Sequence, residues 1–539
     1  MVLLLNNKMY KALQIIIFCF PAFGLAQAPT VLWSKCYGGL GTETGHSIIQ
    51  AKENGFILLG RTDYESGQVI GYHAGGNCPA GPCADAWVVR VDSLGDFQWQ
   101  KCLGGSDEEG MYSINTTSDS GYILTGGTYS NNGDVSGNHG LSDVWLVKLN
   151  SSGSIEWQKC LGGSNYEFAS PVFETKDKGF ILGGTALSNN GNVSGNHSID
   201  TADIWVVKTD SAGTIEWQKC LGGSRDDGGS VLITSDQNYF VYSYVYSNDG
   251  DVTFNHSQQQ DFWLARLDSS GGIVWQKSYG GSASDYPVSA TRTLDNGFAV
   301  LGTSSSTDGD VTGLHGSRDY WAIKIDSTGF LKWQRACGGS MMDDATCIIQ
   351  SADGGFLLAG GTNSNDGDVV GHHGIVDGWI VKLDSAGQLQ WQKCIGGSDG
   401  EAISSMIETP DGEILTLGYS FSVDGDLLGT TNHGNGDMWL AKLSSPYTGI
   451  FAPLSPITDF KTYLNPLCRN LCINFYANGN EKIKVQLLDI TGRLFLQQPL
   501  KINAGLNKQE VYPGELSSGI YLVRLVTETG SVTKKVIKN

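Results

Sequence analysis

The chain has 539 residues, of which 73 are Gly and 14 are Trp, and its formal net charge is −20. This length suffices for more than one domain. The acidic balance argues against binding to nucleic acid or to anionic membrane surfaces, so we expect neither as a partner.

Residues 1–28 have the pattern of a secretory signal peptide. Lys8 and Lys11 precede the apolar run ALQIIIFCF, and Ala26 and Ala28 stand in the A-x-A register of a cleavage site. No later apolar run approaches the ~20 residues that a membrane helix needs. We therefore expect an exported chain without a transmembrane segment.

The tryptophans recur with a regular period through residues 29–445. One set stands in the fourth strand pattern of each repeat, mostly as W-x-K, at Trp33, Trp99, Trp157, Trp217, Trp275, Trp333 and Trp391. The other set stands in D-x-W motifs, at Trp87, Trp145, Trp205, Trp263, Trp321, Trp379 and Trp439. The two sets account for all 14 Trp, and such regularity indicates a repeat array or a propeller.

Each repeat contains four short strand patterns separated by turn sequences. In the second repeat they cover Ser113–Thr117, Tyr122–Gly126, Val144–Leu149 and Ile155–Leu161. No window shows a sustained helical period, and four strands is the number in a propeller blade. We therefore predict an all-β fold in which residues 29–445 form a seven-bladed β-propeller.

The two ends of the array complement each other. The first pattern, VLWSKCYGG at Val31–Gly39, is a lone fourth strand. The last, MWLAKLSS at Met438–Ser445, is a third strand with no fourth strand after it. We predict that the N-terminal strand completes the seventh blade, which removes the open end of the array.

Nine of the 12 Cys fall into two kinds, and the state of Cys337 and Cys347 stays open. Cys78 and Cys83 flank PAGP in an insertion of the first repeat, and Cys468 and Cys472 flank RNL. Because export favours oxidation, we predict a disulfide at the first pair and consider one at the second pair an open alternative. Five others stand three residues after a fourth-strand Trp, at Cys36, Cys102, Cys160, Cys220 and Cys394. Packed sheets lie about 10 Å apart and a disulfide needs Cα atoms within about 7 Å, so we expect these five to be free, buried thiols.

Aspartate and histidine recur together before each third-strand Trp. The aspartates are Asp85, Asp143, Asp203, Asp261, Asp319, Asp377 and Asp437. The histidines are His73, His139, His197, His256, His315, His373 and His433, and only His46 and His372 fall outside this set. Catalysis needs one asymmetric constellation, so sevenfold repetition favours a hydrogen bond that ties down a loop over a metal site or a catalytic dyad. We assign no catalytic residue and no metal ligand here.

The same loops carry D-G-D turns. The weak calcium candidates are Asp308, Asp310, Asp366 and Asp368, because paired hard oxygen ligands around a tight turn begin calcium loops. An EF-hand would also need ligands at alternate positions and a distant Glu, which the sequence does not supply. We prefer a turn and expect no cofactor, with calcium as the alternative.

A third set of carboxylates precedes the first strand of each repeat. It consists of Glu43, Glu109, Glu167, Asp227, Asp285, Asp343 and Glu401. In a propeller these positions predict an acidic collar around the central channel. Two sets of Lys and Arg, on the third and fourth strands, could neutralise it. We favour ion pairs or strand-end hydrogen bonds, and a cation or cationic ligand if neither basic set reaches the collar.

The loops between second and third strands and the turns into first strands share one face of a propeller, and their sequences vary most. Variable loops on a rigid scaffold are the usual place for binding. The candidates on this face are the seven carboxylates together with Tyr64 and Tyr72 of the first loop. Tyr166, Phe168 and Tyr286 also replace polar residues found in other repeats.

After residue 445 the composition changes. Residues 446–462 form a Pro-containing linker, and residues 463–539 are rich in strand patterns with more Lys and Arg than Asp and Glu. The blocks YLNPLCRNLCINF from Tyr463, VQLLDITGRLF from Val485, GELSSGIYLVRL from Gly514 and the basic end KKVIKN follow in order.

These blocks resemble the C-terminal sorting domain of type IX secretion substrates in the Bacteroidota. Leu464 departs from the Pro that is usual in the first motif of that family. The resemblance implies an Ig-like β-sandwich that the type IX machinery recognises at the outer membrane and usually removes. The mature protein would then be secreted or held on the cell surface.

The sequence favours an exported, non-catalytic propeller that binds a glycan, a peptide or a protein through its loop face, as a monomer. G-x-S-x-G, H-E-x-x-H and P-loop motifs are missing from the sequence. The alternatives are a carbohydrate-active enzyme on the same scaffold and a purely structural surface or adhesion component.

Overall fold

The computed structural model describes most of the chain. The described residues are 28–446 except 53, 74–77, 79–81 and 428, and 457–464, 471–477, 481–489, 493–503, 505–514, 516–517, 519–526 and 531–538. The chain divides into two compact units, Met1–Pro446 (unit 1) and Tyr447–Asn539 (unit 2). Residues 1–27 of the predicted signal peptide and most of the predicted linker lie outside the described residues.

Unit 1 begins with β1 (Val31–Tyr37) and contains seven antiparallel sheets of four strands. Sheet 1 consists of β2 (Glu43–Gln50), β3 (Phe56–Thr62), β4 (Asp85–Val91) and β5 (Phe97–Leu103). Sheet 2 consists of β6 (Glu109–Thr116), β7 (Tyr122–Thr128), β8 (Asp143–Leu149) and β9 (Ile155–Leu161). Sheet 3 consists of β10 (Glu167–Glu174), β11 (Phe180–Ala186), β12 (Asp203–Thr209) and β13 (Ile215–Leu221).

Sheets 4 to 7 repeat this arrangement. Sheet 4 consists of β14 (Asp227–Ile233), β15 (Tyr239–Val245), β16 (Asp261–Leu267) and β17 (Ile273–Tyr279), and sheet 5 of β18 (Asp285–Arg292), β19 (Phe298–Ser304), β20 (Asp319–Ile325) and β21 (Leu331–Cys337). Sheet 6 consists of β22 (Asp343–Gln350), β23 (Phe356–Thr362), β24 (Asp377–Leu383) and β25 (Leu389–Ile395). Sheet 7 consists of β26 (Glu401–Glu408), β27 (Ile414–Ser420) and β28 (Asp437–Leu443) together with β1. One 3₁₀ turn, Gly425–Leu427, is the only helical element among the described residues, so the all-β prediction is confirmed.

Short polar turns end the strands. Between β8 and β9, the Asn150 side chain accepts hydrogen bonds from the amides of Ser152 and Ser154, each at 3.0 Å. Gly153 in the same turn has φ 80°, a conformation that glycine adopts without strain. The S-x-G sequences therefore fix the connections between third and fourth strands, which explains their uniform length.

The last sheet joins the two ends of unit 1. β1 pairs with β28 in an antiparallel register in which Tyr37 faces Met438. Just beyond the strands, the Thr30 amide donates to Ser444 Oγ at 3.0 Å, and the Ser444 amide donates to the Thr30 carbonyl at 2.8 Å. The predicted pairing of the N-terminal strand with the last repeat is confirmed.

Consecutive sheets contact one another, and sheet 7 contacts sheet 1 through β27 and β2. Each hydrophobic cluster takes side chains from neighbouring sheets; one contains Leu59 of sheet 1 and Trp145 of sheet 2. All seven third-strand Trp are fully buried. Each can bury 150–250 Å², worth about 4–6 kcal/mol at roughly 25 cal/mol per Å² before entropy is subtracted.

The fourth-strand Trp connect a sheet to the turn of the next one. A Cβ at Gly153 would lie 2.7 Å from the ring of Trp99, and a Cβ at Gly213 would lie 2.8 Å from the ring of Trp157. The rings therefore lie directly on glycines of the turns between third and fourth strands. Six of the seven Trp of this set lie on such a glycine among the described residues; Trp391 does not, because sheet 7 has no turn between its third and fourth strands.

The cysteines of unit 1 follow the two predicted kinds. Cys78 and Cys83 are joined by a disulfide, with Cα atoms 5.2 Å apart. The five equivalent cysteines are buried and unpaired, as predicted: Cys36, Cys102, Cys160, Cys220 and Cys394. Cys337 and Cys347 are also unpaired. The second predicted pair includes Cys468, which lies outside the described residues, so it stays a prediction.

Unit 2 contains two antiparallel sheets. Its strands are β29 (Ile457–Leu464), β30 (Leu471–Ala477), β31 (Glu481–Asp489), β32 (Leu494–Ile502), β33 (Gly505–Val511), β34 (Gly519–Val526) and β35 (Ser531–Lys538). One sheet has the order β29-β30-β33 and the other has the order β32-β31-β34-β35. Buried side chains from both, including Phe475 and Leu525, form one hydrophobic cluster. Among the described residues, no helix is long and apolar enough to cross a membrane.

Candidate functional site

The long connections of unit 1 share one face. Within each sheet the first strand begins where the second strand ends, as shown by the pairing of Glu43 with Thr62. The turn into the first strand and the loop between the second and third strands therefore emerge at the same edge of every sheet. We call this edge of unit 1 the long-loop face.

Each long loop is tied down by the predicted histidine and aspartate. The ring Nδ1 of the histidine lies 2.5–3.2 Å from an aspartate Oδ2 in all seven repeats. The backbone amide of the same histidine donates to the same carboxylate; in the second repeat the distance from His139 N to Asp143 Oδ2 is 3.2 Å. Seven equivalent ties of this kind act as loop anchors.

Burial shapes the ionisation of these aspartates. All seven are at most 1% exposed. Loss of hydration raises the pKa of Asp203 and of Asp261 to about 6, against the opposing effect of their histidine partners. Three of the histidines also approach an aspartate of the next repeat through Nε2; His256 lies 3.5 Å from Asp310. The anchors therefore also connect neighbouring sheets.

The seven first-strand carboxylates do not form an exposed collar. Glu43, Glu109, Glu167, Asp227, Asp285, Asp343 and Glu401 are all 0% exposed. Glu109 accepts hydrogen bonds from the Gly105 amide at 2.8 Å and from Thr128 Oγ1 at 2.7 Å. In every repeat the amide of the second glycine of the turn donates in the same way to the first-strand carboxylate. The predicted acidic collar is therefore corrected. These side chains join the incoming turn to the end of the second strand and present no binding surface.

The basic residues of the third strands lie at the other edge of the sheets. Lys148 on the third strand of sheet 2 binds Asp119 at 2.9 Å and Glu156 at 2.9 Å, both in or next to the short turns. Equivalent pairs are Lys208 with Asp177, Arg266 with Asp236, Lys324 with Asp295, Lys382 with Asp353, and Lys442 with Glu413. Among the described residues, the prediction that the first-strand carboxylates form ion pairs is wrong. The alternative prediction, that they form hydrogen bonds at the strand ends, is correct.

Two buried carboxylates converge beside the first glycine of each G-G-S turn. A Cβ at Gly162 would lie 2.6 Å from both Asp143 Oδ1 and Glu167 Oε2. Asp143 Oδ1 is buried and has no hydrogen-bond partner in the described part of the chain. Burial raises the pKa of Glu43 and of Glu109 to about 7, helped by the neighbouring aspartate. Repulsion between the paired carboxylates therefore favours a protonated member.

The D-G-D loops brace these same turns. Asp308 Oδ1 accepts from the Ser282 amide at 2.7 Å, and Asp366 Oδ1 accepts from the Ser340 amide at 2.6 Å. Asp368 lies 3.4 Å from Arg335, and Asp310 approaches a histidine as described above. No group of three or more His, Cys, Asp or Glu that could hold a metal ion occurs in the described part of the chain. These contacts account for the motif as a turn.

The two predicted tyrosines of the first loop differ in exposure. Tyr64 is 53% exposed and stays available to a ligand. The hydroxyl of Tyr72 instead donates to the Cys83 carbonyl at 2.5 Å, and its ring packs against a hydrophobic cluster. Tyr72 therefore holds the disulfide-containing loop in place.

A group of side chains that breaks the repeat lies on the long-loop face at sheets 1 to 3. We call it the aromatic cluster; it consists of His46, Arg61, Glu108, Tyr112, Tyr129, Tyr166 and Phe168. Tyr112 and Tyr129 are 45% and 40% exposed. The cluster is therefore open to solvent on the face with the long loops.

The cluster is continuous from sheet 1 to sheet 3. The rings of His46 and Tyr112 meet edge to face at 5.2 Å, and Arg61 lies 3.0 Å from Glu108. The Tyr129 ring centroid lies 6.3 Å from that of Tyr166 and at the same distance from that of Phe168. Burial together with the Arg61 charge lowers the pKa of His46 to about 4, so this imidazole is neutral near pH 7.

Sequence reasoning found part of this cluster. It noted His46 as a histidine outside the repeated set, and Tyr166 and Phe168 as departures from the repeat. It missed Arg61, Glu108, Tyr112 and Tyr129, because each belongs to a different strand or turn. Arg61, Glu108 and Tyr112 each stand at their repeat position in one repeat only, which is the signal that would have found them. Tyr129 gives no such signal, because Tyr246 holds the same position in the fourth repeat.

Comparisons with known proteins assign unit 2. Residues 461–539 match the family of secretion system C-terminal sorting domains. The chain carries a type IX secretion sorting domain. Tyr463 and Leu464 of the first motif lie in β29, and Val485 to Asp489 of the second motif lie in β31. The sorting domain indicates an exported protein, secreted or on the cell surface.

One curated protein matches part of this chain at low identity. The regulatory protein FlaEY of Caulobacter vibrioides is 24% identical over 256 residues, which cover 43% of this chain and 26% of that protein. The chain thus spans about a quarter of the length of this curated relative. The likeness assigns no activity to unit 1.

Solved structures with similar folds have diverse functions. A protein of unknown function from Dyadobacter fermentans is 11% identical with a TM-score of 0.39, over 77% of this chain and 99% of that chain. The Pan2 WD40 domain of Neurospora crassa is 8% identical with a TM-score of 0.43, over 77% and 95%. An ulvan lyase bound to its saccharide is 10% identical with a TM-score of 0.41, over 77% and 95%. These likenesses are too distant to support a function.

Proposed function

We propose that this protein is an exported, non-catalytic, seven-bladed β-propeller that binds a glycan, a peptide or a protein through its long-loop face. In this proposal the seven sheets of unit 1 are the blades, and β1 closes the ring. The contacts of sheet 7 with sheet 1 support closure. Unit 2 is an Ig-like sandwich that directs export through the type IX machinery.

The observation that carries the binding proposal is the convergence of repeat-breaking side chains in the aromatic cluster. Most other repeated polar residues of the face are buried or tied to a neighbour, as Asp143 is by His139. Exposed aromatic side chains that do not hold a loop or strand in place are typical of recognition surfaces. Seven nearly equivalent histidine–aspartate anchors give no asymmetric centre for catalysis, which favours a binding protein.

Binding is tested with the purified full-length protein on arrays of glycans and peptides, with and without a calcium chelator. We expect binding that Tyr129→Ala weakens and the chelator does not change. Binding that is lost with the chelator, and also in Asp308→Asn, would instead support the calcium alternative. Binding unaffected by substitutions anywhere on the long-loop face would contradict the proposal.

Ring closure and export have separate tests. Deletion of residues 31–39 removes β1, and we expect a lower melting temperature and partial loss of soluble protein, because β28 would be left as an open edge. An unchanged melting temperature would contradict closure. Removal of residues 463–539 should retain the protein inside a bacterium that has a type IX system, whereas continued export would contradict the sorting role.

A further inference from the structure

The aromatic rings of the cluster offer an amphipathic surface. Tyr129 has two ring neighbours at 6.3 Å, and Tyr112 lies against His46 at 5.2 Å, so the rings hold one another in place. Three of the four carbocyclic rings carry a hydroxyl group. Such rings pack against the C–H faces of a ligand while their hydroxyl groups bond its polar edges.

The polar members of the cluster balance one another in charge. Arg61 and Glu108 form an ion pair at 3.0 Å with side chains 38% and 28% exposed. The pair presents both N–H donors and carboxylate acceptors to solvent without a net charge. His46 is neutral near pH 7 for the reason given above. The surface therefore matches a ligand with many hydroxyl groups and no charge.

Two other ligand classes fit less well. The excess of Asp and Glu over Lys and Arg lies before residue 446, so an anionic polysaccharide would approach against the field of unit 1. A peptide usually needs aliphatic anchors in a groove or a free strand edge. The cluster contains one aromatic ring without a polar group, Phe168, and no aliphatic side chain.

From these contacts we infer that the aromatic cluster binds an uncharged oligosaccharide or polysaccharide, with sugar rings lying on Tyr112, Tyr129 and Phe168. Arg61 and Glu108 bond the hydroxyl groups of the same ligand. This inference rests on the proposed function and specifies the ligand class for that face.

The test compares probes and matched variants of the full-length protein by titration calorimetry. The neutral probes are β-1,4-linked glucose, mannose and xylose oligosaccharides and α-1,4-linked glucose oligosaccharides. The acidic probes are oligogalacturonate and a sulfated galactan, and unrelated peptides serve as the third class. The variants are Tyr129→Ala and Phe168→Ala, with Tyr286→Ala as control, because Tyr286 holds in β18 the position that Phe168 holds in β10.

We expect a neutral oligosaccharide to bind, and each cluster variant to weaken this binding about tenfold or more while Tyr286→Ala leaves it unchanged. Binding of acidic glycans or peptides alone, with the same dependence on the variants, would overturn the inference and leave the long-loop binding proposal intact. Binding of a neutral oligosaccharide that the cluster variants do not weaken would overturn the inference as well. Binding of no probe would count against both.

Discussion

Among the described residues the indole N–H of Trp439 has no hydrogen-bond partner, because Ser34 stands where every other sheet has a glutamine. In the other six sheets, the third-strand Trp donates to the glutamine side chain of the fourth strand at 2.6–3.0 Å. The fourth strand of sheet 7 is β1, so the missing bond lies where the two ends of unit 1 meet.

Ser34→Gln is therefore expected to stabilise the protein by about 1–2 kcal/mol, since an unsatisfied buried donor costs about 1–3 kcal/mol. Urea unfolding measures the change. Ser34→Ala is the control, and it should not stabilise, because it supplies no acceptor and removes the bond from Ser34 Oγ to the Asp426 carbonyl. No gain in the glutamine variant would show that water or a backbone shift already satisfies the indole.

The free energy of unfolding is expected to fall as the pH rises from about 5 to about 8. Burial raises the pKa of Glu43 and of Glu109 to about 7, whereas both ionise near about 4.3 in an unfolded chain. Their contribution is therefore fully present below the unfolded pKa and is lost as the pH passes the folded pKa. Urea unfolding at several pH values measures this slope.

Glu109→Gln should flatten this slope, because glutamine keeps the acceptor but does not ionise. Asp200→Asn on an exposed loop position is the control and should leave the slope unchanged. A stability that rises steadily between pH 5 and 8 in the unmodified protein would contradict the burial of ionisable carboxyl pairs.

The histidine anchors are expected to be interchangeable. His139→Ala and His373→Ala should each cost about 1 kcal/mol, the ordinary value of one hydrogen bond, because each anchors its own loop in the same way. Thermal unfolding measures both variants, and limited proteolysis should cut each altered loop first. One histidine with a far larger effect on ligand turnover than the others would instead indicate a catalytic role.

The thiols of unit 1 are expected to resist alkylation in the folded protein. Burial raises the pKa of Cys36, Cys160 and Cys220 to about 12, so almost no reactive thiolate exists at pH 8. Iodoacetamide labelling followed by mass spectrometry measures this. Labelling after unfolding in guanidinium is the control, and rapid labelling of the folded protein would contradict the burial.

The repeat period predicted the all-β fold and the pairing of the two ends, since tryptophan spacing and turn sequences repeat without interruption. It placed the first strand of sheet 2 at Ser113, whereas β6 begins at Glu109. An irregularity between Met111 and Ser113 breaks the alternation of side chains on which strand prediction depends.

The role of the first-strand carboxylates was harder to predict. A sequence position shows neither burial nor partners, so Glu109 looked like a channel residue although it faces Gly105 and Thr128. The aromatic cluster joins side chains from three repeats, and no spacing rule brings Arg61 and Glu108 together. Periodicity describes what the repeats share, and recognition depends on where they differ.

The hydrogen bonds between Thr30 and Ser444 place the residue before β1 and the residue after β28 side by side. A short peptide between these residues would make the backbone of this segment circular, and the chain could then be opened in the turn between the third and fourth strands of any other sheet. Such circular permutants would move the junction now formed by β1 and β28 around the unit. The order of the repeats along this chain is thus one of seven chain orders that would give the same arrangement of sheets.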